Sequence, residues 1–261
     1  LQEIPARGPA AALTMAGTVS GWHLGRRLWS EKNGDAANLP LQELLAPAAD
    51  KAITGIAVTD SLAAASAKVA AELQGAAGYQ QVFTRSGAKL QAGEQFNNPA
   101  LGELLHELGA KGLQEFYRGA IGQQLAQALH SEGSPLSVDD FAAYEAKQVE
   151  PLVASIRYGQ VYNLPAPTQG FASLLLLACY DRLAAANWQE ADSIHAIIEC
   201  TKHAFVLREQ WLADPDQVPV ELQAQLMDSS LAIAAAKVDL GQVAEWPQVT
   251  AGGDTVWMGA R

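Results

Sequence analysis

Gly252-Gly253-Asp254-Thr255-Val256-Trp257-Met258, near the end of the 261-residue sequence, reads as a flexible joint followed by a short strand. Two glycines free the backbone, and Val256 and Trp257 favour extended structure. The reading places a threonine at the head of a strand. Such a threonine can be its own catalyst once the bond before it is cut. Its hydroxyl is the nucleophile, and the freed α-amine, or a water beside it, is the base. A free α-amine titrates at roughly pH 8, far nearer neutrality than a lysine at roughly 10.4, so it suits proton transfer near pH 7. Taken alone, the stretch is also an ordinary turn and an ordinary strand residue. The rest of the chain has to decide.

Upstream, the pattern is mostly helical. Residues 1–20 are Pro/Gly/Ala-rich and extended, and 21–29 form a short helix. Leu41, Leu44, Leu45, Ala48 and Ala52 repeat at helical spacing over 41–53. A second helix covers 61–73, with Asp60 or Ser61 as its cap. A short strand or hairpin is expected in 81–91 around Ser86-Gly87. Helical pieces follow at 99–108 and 111–116, separated by Gly109, and at 120–129. Ser137 caps a helix over 138–144, with Asp140 three residues on. Two short strands flank Tyr158-Gly159 within 153–164, and Pro165-Ala166-Pro167 breaks the chain. Long helices then run over 170–183, 192–211 and 223–237. Periodicity alone therefore gives a helix-rich α+β protein. No internal repeat stands out.

About half of the residues are hydrophobic (49%) and formal net charge is −11, with mean hydropathy +0.01. The chain is therefore globular, with material for a sizeable core. Nucleic-acid binding is excluded, because phosphate neutralisation needs a basic face and the tightest basic cluster is the pair Arg26-Arg27. That pair reads as a solvated helix end. The longest apolar run, 171–179, is too short to span a bilayer. Leu1-Gln2-Glu3-Ile4-Pro5 is neither a signal peptide nor a methionine start, so the front reads as trimmed and the compartment stays open, with a lean to cytoplasm over periplasm or exterior. Cys179 and Cys200, the two cysteines, read as buried free thiols, with a disulfide between them as the alternative.

Several segments then line up in order. Gly17-Thr18-Val19-Ser20-Gly21-Trp22, Leu39-Pro40-Leu41-Gln42-Glu43-Leu44-Leu45-Ala46-Pro47-Ala48, Glu115-Phe116-Tyr117-Arg118-Gly119 and Leu136-Ser137-Val138-Asp139-Asp140-Phe141-Ala142-Ala143-Tyr144 come first. Glu150-Pro151, Tyr158-Gly159-Gln160-Val161-Tyr162 and Ala213-Asp214-Pro215-Asp216 follow, and Gly253-Asp254-Thr255 closes the series. In order and spacing they resemble the γ-glutamyltransferases, from the Pro-Gly-Thr-Val-x-Gly segment (Ala16 replacing the proline) to the self-cleavage site. Two departures resemble a divergent branch that includes oxamate amidohydrolase and cephalosporin acylases. Asp254-Thr255-Val256-Trp257 stands where Asp-Thr-Thr-His is common. Leu164-Pro165-Ala166-Pro167-Thr168-Gln169-Gly170 stands where a Pro-Pro-Pro-Ser-Ser-Gly-Gly turn is typical.

The resemblance implies an N-terminal-nucleophile hydrolase with a four-layer αββα sandwich. Residues 1–261 would be one domain of that fold, with 1–254 in the large subunit and 255–261 opening the small one. It implies self-cleavage at Asp254–Thr255 and Thr255 as nucleophile in transfer or hydrolysis of a γ-glutamyl or similar amide. It implies no metal or organic cofactor, a partner small subunit, and oxyanion-hole glycines in that subunit. A homo-oligomer is compatible with it. With Asp254 and Thr255 in one chain, the sequence reads as an uncleaved precursor or a fragment. The opposing reading is an inactive relic of the same fold that serves as an interaction protein. Arg7 is the candidate grip for a substrate carboxylate, although Ile4-Pro5-Ala6-Arg7-Gly8-Pro9 fits a later Arg-Gly-Pro segment better, and a surface ion pair is the alternative.

Other constellations carry less. His195, Glu199 and His203 share a helix face, but the histidines lie two turns apart, too far for one tetrahedral ion. Gly17, Gly21 and Gly25 lack dinucleotide-fingerprint spacing. Asp139-Asp140 fits a helix start. His23, His106 and His130 have no partner pattern.

Overall fold

A computed structural model describes residues 7–35 and 38–246. The chain forms two packed units, Leu1–Gln148 and Val149–Arg261.

In the first unit a 3-10 turn, Pro9–Ala11, leads into α1 (Thr18–Asn33). This helix is longer than the expected 21–29: Gly21 and Gly25 lie within it. α2 (Leu41–Thr54) packs along α5 (Pro99–Lys111). α5 runs unbroken through Gly109, where a chain break was expected. A Cβ at Gly109 would stand 3.1 Å from the Gln42 Cα, so the glycine serves the close approach of α2. The helix stops instead at Gly112, whose φ of +99° suits a helix end.

α3 (Asp60–Leu73) begins one residue before the expected start. Its cap is neither Asp60 nor Ser61 but Thr59, whose Oγ accepts the Leu62 amide at 3.1 Å. Asp60 then occupies the first turn, where negative charge suits the helix dipole. α4 (Ala77–Phe83) takes up the front of the expected strand or hairpin, leaving β2 (Thr84–Arg85) and β3 (Ala88–Lys89) around Ser86-Gly87. Both turn residues have positive φ, as a tight hairpin turn requires. β1 (Ile56–Ala57) and β4 (Gln95–Phe96) pair antiparallel; these two-residue strands carry no period for a sequence to show. α6 (Glu115–Arg118), α7 (Ala120–Ser131) and α8 (Val138–Ala143) complete the unit. α8 opens with a full capping box: Ser137 Oγ accepts the Asp140 amide, and Asp140 accepts the Ser137 amide at 2.8 Å.

In the second unit β5 (Leu152–Ile156) and β6 (Gly159–Asn163) form an antiparallel hairpin, as expected. Leu152 and Ala154 alternate inward onto α9 (Gly170–Leu183). The core joins Phe171, Leu174, Leu175 and Ala178 of α9 to Cys200 and Ala204 of α10 (Glu190–Trp211). The helix expected over 223–237 is two, α11 (Leu222–Gln225) and α12 (Asp228–Ala236). Leu226 and Leu231 are both buried in this core. In a continuous helix, residues five apart point roughly 140° away from one another. The break at Leu226-Met227 turns both inward. Gln223 closes the edge of β5, its Oε1 accepting the Val153 amide and its Nε2 donating to the Val153 carbonyl, both at 2.9 Å.

The described chain is thus helix-rich α+β. Its strands form three two-stranded antiparallel sheets among the described residues.

Candidate active site

Thr255 and Asp254, the expected nucleophile and cleavage site, lie outside the described residues, as does the expected strand at 254–258. The structure does show how the chain is held on its way there. After α12, Asp239 accepts the Gly241 amide and the Gln242 side-chain amide, both at 2.8 Å, which folds a turn. The next residues lie along α10. There Glu199 and Lys202, one helical turn apart, form an ion pair with Nζ–Oε1 at 2.7 Å. Both are buried, at 4% and 7% exposure.

Burial of charge is costly unless every donor and acceptor is used. A single distant residue, Ala244, bonds to both members of the pair. Lys202 Nζ donates to the Ala244 carbonyl at 2.6 Å, and the Ala244 amide donates to Glu199 Oε2 at 3.2 Å. Two residues on, the Trp246 ring packs edge-on against Phe205 at 6.2 Å, with the Lys202 ammonium 5.9 Å from its centroid. Burial alone would raise the Glu199 carboxyl. The hydrogen bonds from Lys202 and the Ala244 amide, with the charges of Lys202 and His195, outweigh it and hold that carboxyl below its ordinary value.

Sequence reasoning singled out Glu199 only as part of a His195/Glu199/His203 face. Its partner is Lys202, so the carboxylate is not free for a metal. Among the described residues no group of three histidine, cysteine or acidic side chains could hold an ion. The His203 imidazole is kept below its usual range by burial and by nearby Lys237. An acid and a base three apart within an otherwise apolar stretch were the available sign of the pair.

The Leu164–Gly170 turn is also fixed from within. Thr168 Oγ donates to the carbonyls of Leu164 and Pro165 at 3.0 and 2.9 Å, and accepts the Gly170 amide at 3.2 Å. A Cβ at Gly170 would fall 2.1 Å from the Leu164 carbonyl oxygen, so only glycine fits. Gln169 Oε1 accepts from Arg208 at 3.2 Å, tying the turn to α10.

The quoted segments of the first unit turn out to be scaffold. Gly17-Thr18-Val19-Ser20, Phe116-Tyr117 and Phe141 to Tyr144 converge on one core, in which Val19, Tyr117 and Phe141 are buried and Tyr144 packs against them. The Tyr117 hydroxyl donates to the Ala16 carbonyl at 2.5 Å and accepts the Ser20 amide. A Cβ at Gly17 would meet the Tyr144 hydroxyl at 2.5 Å.

Arg7 Nε lies 2.8 Å from Glu72 Oε2, and both side chains are about half exposed. Arg27 lies 3.6 Å from Glu31, while Arg26 donates to the Leu39 carbonyl, so the basic pair is taken up locally. Cys179 and Cys200 are free and buried. Burial pushes the Cys179 thiol up to about 11 and the Cys200 thiol to about 12, the latter helped by Cys179 and Glu199.

The described residues are helix-rich α+β, and likeness to solved structures makes the fold that of the N-terminal-nucleophile hydrolases. Residues 1–260 match the family described as Gamma-glutamyltranspeptidase, and the chain belongs to that family. Among curated relatives, it is 39% identical over 258 residues to the oxamate amidohydrolase proenzyme of Klebsiella pneumoniae, covering 99% of this chain and 48% of the relative. It is 29% identical over 231 residues to the glutathione hydrolase proenzyme of Escherichia coli, covering 87% of this chain and 38% of the relative. The chain thus spans about half or less of these relatives' length. Among solved structures it resembles the gamma-glutamyltranspeptidase of Pseudomonas nitroreducens complexed with L-DON, with TM-score 0.73, 28% identity, and coverage of 88% of this chain and 67% of that one. The fold is also that of the cephalosporin acylase from Bacillus halodurans, with TM-score 0.80 and 24% identity, covering 91% of this chain and 44% of that one. No helix among the described residues is long and apolar enough to cross a membrane.

Proposed function

We propose that the full-length protein is an amidase that cuts itself between Asp254 and Thr255 and then uses Thr255 as its nucleophile. One observation carries this reading. The family match runs collinearly to residue 260, through Gly-Gly-Asp-Thr, and the matched relatives of Klebsiella and Escherichia are named proenzymes. Residues 1–254 then belong to the large subunit, 255–261 open the small one, and the active species is their complex.

In self-cleavage, Thr255 Oγ adds to the Asp254 carbonyl carbon. The C–N bond breaks as the hydroxyl proton passes to the Thr255 nitrogen, leaving an ester. Water hydrolyses the ester, giving an Asp254 carboxyl, and the Thr255 hydroxyl regains its proton. In turnover, Oγ attacks the substrate amide carbonyl. The neutral Thr255 amine takes the hydroxyl proton and delivers it to the departing amine. Water, or an acceptor amine, then releases the acyl group. No step calls on a metal or organic cofactor.

The substrate is a small γ-glutamyl or similar acyl amide. A second reading, a short amide such as oxamate, is favoured by the 39% identity to the oxamate relative and by Val256-Trp257 following the nucleophile. Turnover of a γ-glutamyl anilide, oxamate and a glutaryl amide by the full-length protein separates these readings. For Arg7 to grip a substrate carboxylate it must leave Glu72. In Arg7→Ala a raised KM at constant kcat assigns that role, and an unchanged KM leaves a surface ion pair.

A further inference from the structure

We infer that Glu199 and Lys202 are positioning residues for self-cleavage: they clamp the main chain at Ala244 and so fix the point from which the scissile bond is presented. The inference rests on the proposed cleavage at Asp254–Thr255.

The clamp is a main-chain device. It takes both the carbonyl and the amide of one residue, with Lys202 donating at 2.6 Å and Glu199 accepting at 3.2 Å. The hydrogen bonding of the buried pair is completed by this segment. Glu199 Oε2 accepts only from Ala244, and Lys202 Nζ bonds only to Glu199 and Ala244, among the described residues. Were the segment to leave, two buried charged groups would each lose a partner, which disfavours departure. Trp246, edge-on against Phe205, anchors the segment two residues further on. The Asp239 turn sets its direction of approach.

From Ala244 to Asp254 the chain runs ten residues, a reach of at most roughly 33–36 Å for a fully extended chain. Without the clamp and the Trp246 anchor, the next fixed point is the Asp239 turn. The tether to Asp254 is then fifteen residues. By tether length alone, the effective concentration of Thr255 at its place of reaction drops about twofold, and loss of a set approach direction adds to that. The clamp contributes nothing to turnover once Thr255 is a free N-terminus, because cleavage severs it covalently from the nucleophile. It therefore acts on processing and not on amide hydrolysis.

The test measures two rates on the full-length protein: conversion to two chains on a denaturing gel, and amide turnover per cleaved molecule. Ala244→Pro removes the amide that Glu199 accepts but leaves the Glu199–Lys202 pair intact. Trp246→Ala removes the second anchor. Each variant is expected to process about three- to tenfold more slowly, as a lengthened and unaimed tether predicts, with turnover per cleaved molecule within about twofold of wild type. Wild-type processing rates in both variants overturn the inference. So does a matching loss of turnover per cleaved molecule, which marks a general folding role. Thr255→Ala serves as the separate control. If that variant is still cut ahead of residue 255, the cleavage reading itself fails, whereas a block in Thr255→Ala with normal processing in the clamp variants sinks only the clamp.

Discussion

The Tyr117 hydroxyl accepts the amide of Ser20 at 3.0 Å while donating to the carbonyl of Ala16, and so pins the start of α1 from 97 residues away. Tyr117 is 2% exposed. Burial, with Tyr144 beside it, raises the phenol above its ordinary value against the opposing Ser20 bond, so it stays protonated and can make both bonds. Tyr117→Phe leaves a buried amide and a carbonyl without partners. It is expected to cost about 1–3 kcal/mol, read as a lower urea midpoint with an unchanged slope. A midpoint equal to wild type would show that water replaces the hydroxyl.

Gly170→Ala places a methyl 2.1 Å from the Leu164 carbonyl oxygen. Backbone is not free to swing aside as a side-chain end is. The turn has to open or α9 has to start later, at a cost of about 1–3 kcal/mol, visible as a lower thermal midpoint. The Thr168 hydroxyl, which closes the turn, should matter less, since each of its bonds is one among several.

Within the second unit the Glu199–Lys202 pair offers a double-variant test. Lys202→Met alone leaves a buried carboxylate without its counter-ion and is expected to cost about 3–5 kcal/mol. Adding Glu199→Gln should recover a large part of that loss, because a neutral pair needs no counter-ion. Additive losses in the double variant would show that the two side chains do not act on each other.

The thiols give a pH signature. Cys179 and Cys200 ionise at about 11 and about 12 when folded, against 9.0 ordinarily. Raised folded values favour the protonated, folded state. Their contribution is fully present below pH 9 and is lost as pH rises through 11 and 12. Stability should therefore fall on alkaline titration above pH 9, and the fall should be shallower in Cys179→Ala/Cys200→Ala. Iodoacetamide at pH 8 should label neither thiol before unfolding. Prompt labelling of the native protein would contradict their burial.

Much of this architecture was legible in the residues. The spacing of Leu41, Leu45 and Ala48 fixes α2, and Ser137 with Asp140 marks the cap of α8, because both signals are local. The hairpin around Tyr158-Gly159 and the helix from Gly170 follow from the same kind of pattern. What was illegible depends on partners far along the chain. Gly109 looks like a breaker until Gln42 is seen against it. The break between α11 and α12 comes from Leu226 and Leu231 sharing one core, which a run of helix formers does not reveal. The clamp is the clearest case: Glu199 finds its second donor 45 residues on. The expectation for Thr255 rests on the ordered series of segments that end on it and lies outside the described residues, since a glycine-rich turn before a threonine carries no chemistry by itself.

Every step of the proposed chemistry requires Thr255 to become an N-terminus. Sequencing the smaller chain released by the purified full-length protein tests this most directly. The expected result is a chain that begins Thr-Val-Trp-Met, with Thr255→Ala remaining whole and inactive on every amide tried. A protein that stays in one piece and still hydrolyses its amide would contradict it.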